Sequence, residues 1–200
     1  MNELSTIKKE LFPFDGDWEQ AFSHPEKKGI WFIYGKSGSG KSRLSLMLAK
    51  YLSQWEKVVF NSLEERFSQS LINALKQINM VDANNRVLFV SESIDEFSKR
   101  LAKKHSAGIA IIDSLQHSLM NYKQYLKFKQ LHENKLIIFI SHADGKNPAG
   151  RSATSIMYDA DMKIWVEGYK AFAKGRFIGD KAEYVIWPEG AEKYWSKYAN

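Results

Sequence analysis

The chain has 200 residues, of which 44% are hydrophobic and 26% charged, and it carries 29 Lys and Arg against 23 Asp and Glu. This composition is typical of a globular protein and excludes disorder throughout the chain, which requires low hydrophobicity with high net charge. There is no cysteine, which excludes disulfides, cysteine-ligated zinc, iron–sulfur clusters and thiol catalysis. The net charge of +6 permits a polyanionic partner but does not require one.

No part of the sequence has the composition of a membrane-spanning or secretory segment. A transmembrane helix needs about 18 or more consecutive apolar residues, and no such run is present. The N-terminal residues MNELSTIKKELFPF also lack the apolar stretch of a signal peptide. We therefore expect no membrane partner and a cytoplasmic location, with which the absence of cysteine agrees.

Residues 1–28 differ from the rest of the chain because they combine Pro, Gly and large aromatic residues without a clear period. We interpret them as an arm whose aromatic side chains pack on the core of a single domain formed by residues 29–200. The alternative is that the arm docks on a neighbouring subunit. The aromatic residues concerned are Phe12, Phe14, Trp18 and Phe22.

From residue 29 onward, short apolar runs alternate with longer amphipathic stretches. Strands are predicted at 30–34, 57–61, 87–90, 108–112 and 136–140, and helices at 41–55, 64–79, 93–105 and 115–133. This alternation predicts an α/β fold, in which helices flank a mainly parallel central sheet. Strands at 162–167, 170–177 and 183–187, joined by short turns, predict an antiparallel C-terminal extension, and residues 188–200 are ambiguous.

The strongest motif is the octapeptide GKSGSGKS, which begins at Gly35 and matches the phosphate-binding loop pattern G-x-x-x-x-G-K-[ST]. Its glycines let backbone amides approach phosphate oxygens, Lys41 would reach the β- and γ-phosphates, and the Ser42 hydroxyl would bind Mg²⁺. The alternative is a simple Gly/Ser turn. The predicted strand before the motif and the predicted helix after it favour a phosphate-binding loop over such a turn. The predicted nucleotide contacts are Gly35, Lys36, Ser37, Gly38, Ser39, Gly40, Lys41, Ser42 and Arg43.

Polar residues at the ends of three other predicted strands are candidates for the remaining chemistry. Asp113 would hold Mg²⁺ or a water on it, although Asp at a strand end is often only a turn residue. Glu64 and Glu65 could activate water, or could be ordinary acidic residues in the first turn of a helix. His142 could sense the γ-phosphate. We expect the other histidines to be surface residues or helix-end caps, namely His24, His105, His117 and His132.

Taken in order, these motifs resemble the RecA-like ATPases, most closely bacterial RadA and the DnaB-type hexameric helicases. The resemblance covers about residues 29–190. The matching segments are the P-loop, SLEE at 62–65, IDSLQ at 112–116, Ser-His at 141–142, Ala-Gly at 149–150, IWVEG at 164–168 and KGRF at 174–177. It implies that the protein uses ATP and Mg²⁺ and that Glu64 is the water-activating residue. It also implies that Lys174 and Arg176 act on the γ-phosphate of a neighbouring subunit in a homo-oligomeric ring or filament.

The polar segment 143–158 corresponds to the DNA-facing loop of that family. Lys146 and Arg151 could neutralise phosphates, and Asn147 could donate hydrogen bonds. A second candidate is the stretch 122–129 of the predicted helix at 115–133, where aromatic residues and lysines interleave. That pattern is better explained by aromatic side chains that face the core and lysines that face the solvent. We therefore expect single-stranded DNA as a partner.

The zinc finger and protease-like domain of RadA and the N-terminal domain of DnaB have no counterpart here, so the chain resembles a minimal motor core of phage or mobile-element type. We expect a DNA-stimulated ATPase acting in recombination, replication or repair. One alternative is an ATP-dependent switch without catalysis. Another is a small-molecule P-loop kinase, but such kinases usually have an arginine-rich lid and the chain has only six arginines.

Overall fold

The computed structural model describes residues 9–175, 178 and 183–198. Its helices are α1 (Gly16–Phe22), α2 (Lys41–Leu52), α3 (Gln69–Gln77), α4 (Ile94–Leu101), α5 (Tyr122–Leu131), α6 (Arg151–Asp159) and α7 (Pro188–Trp195), with short 3₁₀ turns at Met80–Ala83 and Ser196–Tyr198. Its strands are β1 (Gly29–Gly35), β2 (Val58–Ser62), β3 (Val87–Val90), β4 (Ile109–Asp113), β5 (Leu136–Asp144), β6 (Asn147–Pro148), β7 (Met162–Glu167), β8 (Lys170–Gly175) and β9 (Glu183–Val185).

The strands form one sheet in the order β3-β2-β4-β5-β1-β7-β8-β9, with β6 paired to β5 outside this path. The six strands from β3 to β7 in this order are parallel to their neighbours. β8 and β9 continue the sheet in antiparallel pairing. The predicted fold class is therefore confirmed, including the antiparallel C-terminal extension.

The central strands are apolar because helices cover both of their faces. Every residue of β2 and of β4 is buried, as expected for the inner strands of a parallel sheet. Two hydrophobic clusters lie on opposite faces of the sheet, and successive residues of β1 alternate between them: Trp31 and Ile33 belong to one, Ile30 and Phe32 to the other. Among the described residues, none of the helices combines the length and apolarity needed to cross a bilayer.

Local capping decides where several helices begin, and this differs from the prediction. The predicted helix at 64–79 starts only at Gln69, because the Ser68 side chain accepts a hydrogen bond from the Leu71 amide and caps it. Capping boxes of Ser93 with Glu96 and of Asn121 with Gln124 likewise fix the starts of α4 and α5. Glu64 and Glu65 are thus in a loop before α3. The alternative that placed them in the first turn of this helix is wrong.

Residues 9–28 of the N-terminal arm pack against the side of the sheet that carries the antiparallel strands. Phe12, Phe14 and Phe22 are at most 2% exposed and belong to the larger core cluster. The Trp18 ring stacks between Tyr51 of α2, at 4.8 Å between ring centroids, and Tyr184 of β9, at 4.3 Å. The arm therefore connects the first helix of the nucleotide-binding motif with the last strand of the sheet.

Candidate functional site

The carboxyl ends of β1, β2, β4 and β5 meet at one edge of the sheet, because these strands are parallel and adjacent. Ligands of open α/β sheets bind at this edge, in the crevice beyond the strand ends. The P-loop follows β1, and the segments containing Glu64, Asp113 and His142 follow or end β2, β4 and β5. The order of strands therefore gathers four segments that are far apart in the sequence.

The glycines of the P-loop serve two different steric purposes. Gly40 has a φ of 107°, in a region that side-chain-bearing residues rarely adopt. It stands immediately before α2 and turns the loop into the helix. A Cβ on Gly35 would lie 2.2 Å from the carbonyl oxygen of Val166, so β1 and β7 can approach at this point only with glycine. The loop curves between these glycines, and the Lys41 ammonium donates a hydrogen bond to the Lys36 carbonyl at 2.8 Å.

A cavity of about 320 Å³ opens at this edge of the sheet. Its lining includes the expected phosphate-binding residues Ser37, Gly38, Gly40, Lys41, Ser42 and Arg43, together with Glu64, Glu65, Asp113, His142 and Tyr169. Lys36 and Ser39 instead line an adjoining space of about 160 Å³. The structure thus brings the predicted P-loop, metal-binding and water-activating residues into contact with one volume.

Burial and neighbouring charges both shift the pKa values of the ionisable groups in this cavity. Burial, reinforced by the nearby charges of Glu64 and Glu65, raises the pKa of Asp113 to about 7, and Lys41 opposes the rise. Burial also lowers the pKa of Lys41, while Glu64 and Asp113 raise it. Oxygen donors arranged in this way, with the exposed Ser42 hydroxyl beside them, are the ligands that Mg²⁺ prefers.

The two adjacent glutamates have different surroundings. The backbone amide of Glu64 donates to the carbonyl oxygen of Asp113 at 3.1 Å, which ties the end of β2 to the end of β4. The Glu64 carboxylate faces the cavity and lies 3.1 Å from Nε2 of His142. The Glu65 carboxylate instead accepts a 2.7 Å hydrogen bond from the Ser70 hydroxyl at the start of α3. Glu64 is therefore the better placed of the two to act on a water molecule.

His117 is exposed, as expected of a surface residue, but it also belongs to the same cluster. Its Nδ1 lies 2.8 Å from the Ser114 hydroxyl and 3.6 Å from the Glu64 carboxylate. The ligand atoms of Glu64, His117 and His142 are within 4.8 Å of one another, so this group could also hold a divalent ion. Sequence reasoning missed His117 because it follows the Asp113 strand by four residues in a turn that has no periodic pattern. The only available signal was its position after a predicted strand end.

A hydrogen-bond network connects this cluster with the segment predicted to face DNA. The Gln116 side chain accepts from the backbone amide of His142 at 3.1 Å and donates to the carbonyl of Ala149 at 3.0 Å. The Ala149 amide donates back to the His142 carbonyl at 2.9 Å. The Gln116 side chain thus joins the loop after β4 to His142 in β5 and to Ala149 after the β5–β6 hairpin.

Two buried polar atoms of the P-loop region bear on whether the site fits a nucleotide. The Ser39 hydroxyl oxygen and the Arg43 Nε are buried without a hydrogen-bond partner among the described residues. Buried polar groups are paired in the great majority of cases. The Arg43 side chain also lines the main cavity. Unsatisfied donors beside a left-handed glycine loop at a helix N-terminus fit a polyphosphate, which supplies many acceptor oxygens.

The residues predicted to bind DNA lie outside this cavity. Lys146 and Asn147 are in the tight β5–β6 hairpin, and Arg151 is the first residue of α6; all three are exposed. Segment 143–158 is thus a hairpin and a helix. Lys174 is exposed on β8 and borders a second groove together with Lys146. The expected role of Arg176 falls on a residue outside the described part of the chain.

No family model matches the chain, and no curated protein matches it. Among solved structures, the flagellar accessory protein FlaH from Methanocaldococcus jannaschii is similar with a TM-score of 0.62 and 17% identity, covering 88% of this chain and 93% of that one. The KaiC-like protein PH0186 from Pyrococcus horikoshii OT3 is similar with a TM-score of 0.63 and 18% identity, with the same two coverages. At this level of identity the likeness concerns the fold, and it establishes that the chain has the RecA-like P-loop fold.

Proposed function

We propose that this protein is a Mg²⁺-dependent ATPase whose hydrolytic cycle is coupled to binding of single-stranded DNA. The observation that carries the proposal is the shared cavity of about 320 Å³, in which the P-loop faces Glu64, Asp113 and His142. A phosphate-binding loop alone would support only nucleotide binding. A carboxylate at hydrogen-bond distance from a histidine, in the same cavity, supports hydrolysis as well.

Binding of the triphosphate is assigned to the P-loop. Its backbone amides and the N-terminus of α2 provide a positive potential, to which Lys41 adds a full charge. The Ser42 hydroxyl and the Asp113 carboxylate would hold Mg²⁺, which when bound neutralises charge on the phosphoryl oxygens. Arg43 and Ser39 offer the unpaired donors described above.

Water activation is assigned to Glu64. Its carboxylate would orient the attacking water and take up its proton. His142 contacts this carboxylate and can transmit a change at the γ-phosphate through its backbone to Gln116 and Ala149. By the resemblance to RecA-like enzymes, Lys174 and Arg176 would act in the site of a neighbouring subunit, where an arginine supplied across an interface is worth about 10³–10⁵ in rate.

The DNA partner rests on the exposed cations of segment 143–158 and on the same resemblance. Lys146 and Arg151 would neutralise backbone phosphates, a contact that is independent of sequence and weakened by salt. The Gln116 network supports the coupling, because it connects the hairpin that carries Lys146 with the cluster around Glu64.

The test is steady-state ATP hydrolysis with and without single-stranded DNA, measured over a range of protein concentrations. We expect DNA to stimulate the wild-type rate, and we expect the rate per protomer to rise with protein concentration if neighbouring subunits complete the site. The Lys41→Ala variant removes the P-loop charge and should lose both basal and stimulated hydrolysis.

A Lys104→Ala variant serves as the matched control, because Lys104 is an exposed lysine after α4 and lies outside the P-loop and the cavity. It should retain most of the activity. Tight ATP binding without turnover by wild type would contradict the ATPase proposal and favour a nucleotide-dependent switch. Turnover that DNA does not change would contradict the DNA coupling alone.

A further inference from the structure

A second groove, of about 450 Å³, lies on the sheet outside the nucleotide cavity. It runs over β1, β7 and β8 between α6, which contributes Met157, and α7, which contributes Trp195. Most of its lining residues are aromatic residues or lysines.

The aromatic rings form a row across three strands. Tyr34 of β1 pairs in register with Trp165 of β7, and Trp165 with Phe172 of β8. The Tyr34 and Trp165 ring centroids are 5.1 Å apart, and the Trp195 ring stands 6.0 Å from Phe172. All four rings are partly exposed. They therefore offer a continuous apolar surface with accessible ring faces.

The lysines form a second row beside the rings. Lys163 and Lys174 are register partners on β7 and β8, two residues from Trp165 and Phe172, so they are on the same face of the sheet. Lys146 reaches the groove from the β5–β6 hairpin. Within the described part of the chain, none of these three lysines forms an ion pair.

The one carboxylate in the lining is already engaged. Glu167 accepts hydrogen bonds from Nε1 of Trp165 at 3.1 Å and from the Tyr194 hydroxyl at 3.2 Å. The groove thus presents three unpaired cations against a single, hydrogen-bonded anion. The core of a protein–protein interface is normally depleted of lysine, so this charge balance favours a polyanion over a second copy of the chain.

We propose that this groove binds single-stranded DNA, with bases stacking on the aromatic row and backbone phosphates contacting the lysines. Combining a cationic track with stacking rings is the usual way to bind single strands without sequence preference. The proposal deepens the function proposed above and rests on it, since it extends the DNA site from the hairpin across the sheet. It adds four aromatic rings and Lys163, to which the preceding section gave no role.

Lys163 separates this proposal from the rest of the mechanism. Lys174 has also been assigned to a neighbour's γ-phosphate, and Lys146 to the hairpin site, so their loss would be ambiguous. The first variant is therefore Lys163→Gln, and the second is the double variant Lys146→Gln with Lys163→Gln. A third, Trp165→Leu, removes a stacking surface.

Binding is measured by fluorescence anisotropy of a labelled oligo-dT over a series of salt concentrations. Each lysine–phosphate contact releases counterions from the DNA when the complex forms. We therefore expect the magnitude of the slope of log affinity against log salt to be smaller by about 0.7 for Lys163→Gln and by about 1.4 for the double variant. Trp165→Leu should weaken binding on the order of tenfold at unchanged slope. Basal ATP hydrolysis of Lys163→Gln, measured without DNA, should equal that of wild type.

Matched controls are Lys103→Gln and the double variant Lys103→Gln with Lys104→Gln, two exposed lysines just after α4. They change net charge equally and should leave the salt slope at the wild-type value. Equal losses in the control and groove variants would overturn the proposal, and so would a wild-type affinity and salt slope for Lys163→Gln, whatever the double variant shows. In either case, weaker oligo-dT binding by Arg151→Gln would still support the proposed DNA function.

Two other results also overturn it. If wild type binds no oligo-dT, the groove proposal and the DNA coupling both fail, while Lys41-dependent ATP hydrolysis is unaffected. If the groove variants change the oligomeric state but not the affinity for DNA, the groove is an interface between copies of the chain.

Discussion

The imidazole of His132, at the C-terminal end of α5, is 2% exposed, and its Nε2 lies 2.8 Å from the Ser98 hydroxyl. Burial, with a smaller contribution from the Lys135 charge, lowers the pKa of this histidine. Burial of this kind disfavours the charged form of the ring. Because His132 joins the end of α5 to Ser98 of α4, we expect its protonation to weaken the packing of these two helices.

This residue gives a prediction about stability. In the unfolded chain a histidine has a pKa of about 6.5, so above that pH both states hold it neutral and it causes no pH dependence. As the pH falls below 6.5, the unfolded chain binds a proton that the folded protein does not, and the free energy of unfolding decreases until the folded-state pKa is reached. Urea unfolding at pH 7.5 and pH 5.5 should show a smaller loss of stability for His132→Asn than for wild type.

His105→Asn is the control, since His105 is exposed after α4 and has a positive φ of 61° that Asn tolerates. This variant should keep the wild-type difference between the two pH values. An identical pH dependence in wild type and His132→Asn would show that another group causes the acid sensitivity.

Among single residues, the contrast between Glu64 and Glu65 shows what neighbours add to a motif. Both carboxylates follow β2, and apart from the resemblance to RecA-like ATPases, which implies Glu64, the residues themselves favour neither. The structure turns Glu64 towards His142 and Glu65 towards Ser70. The difference arises from Ser68, which caps α3 and leaves the preceding residues in a loop whose amides bond to Asp113.

At the scale of elements, the ends of β4 and β5 and the hairpin after β5 are connected through the Gln116 side chain. Removing it leaves the amide of His142, the carbonyl of Ala149 and the hydroxyl of Ser141 without this partner. A fully buried group left unpaired costs about 1–3 kcal/mol, and the cost here is smaller because His142 and Ala149 are only partly buried. The hairpin would then be less firmly attached to the edge of the sheet that carries Glu64 and His142.

We predict that Gln116→Ala reduces the stimulation of ATP hydrolysis by single-stranded DNA more than it reduces the basal rate. Coupling free energies between sites are typically about 1–3 kcal/mol, so the stimulation ratio should fall about fivefold or more. The measurement is the ratio of rates with and without saturating DNA. Gln130→Ala, an exposed glutamine on α5, is the matched control, and an unchanged ratio in Gln116→Ala would rule out this route of coupling.

At the scale of the whole molecule, the N-terminal arm closes the side of the sheet where antiparallel strands extend it. Phe22 is fully buried, with its ring centroid 5.6 Å from that of Trp18 and 6.1 Å from that of Tyr184. Contacts of this kind support the proposal that the arm packs on the core of its own chain. An arm that docked mainly on a neighbour would not need them.

We therefore predict that Phe22→Ala lowers the free energy of unfolding by about 3–5 kcal/mol, the usual cost of truncating a buried phenylalanine. Phe67→Ala provides the same substitution at a side chain that is 60% exposed, and its effect should be within about 0.5 kcal/mol. Urea unfolding monitored by tryptophan fluorescence measures both. Equal stability of Phe22→Ala and wild type would mean that the arm does not contribute to the core.

The sequence by itself determined the features that depend on contiguous residues. The P-loop is recognisable because eight adjacent residues carry its steric and charge requirements, and the parallel sheet is recognisable because buried strands are short apolar runs. Asp113 could be proposed from its place at the end of such a run. The C-terminal antiparallel strands were predictable from their short turns, and the helix at Pro188–Trp195 was not, because its composition fits several structures.

Only the tertiary structure decided which distant side chains meet. His117 joins Glu64, and Gln116 reaches Ala149, because β2, β4 and β5 are neighbours whose ends lie at one edge. Lys146 and Lys174 share a groove because the β5 hairpin extends towards the strands beyond β1. These contacts depend on strand order and on the caps that begin α3, α4 and α5. Neither feature gives the side chains that meet a periodic pattern in the sequence.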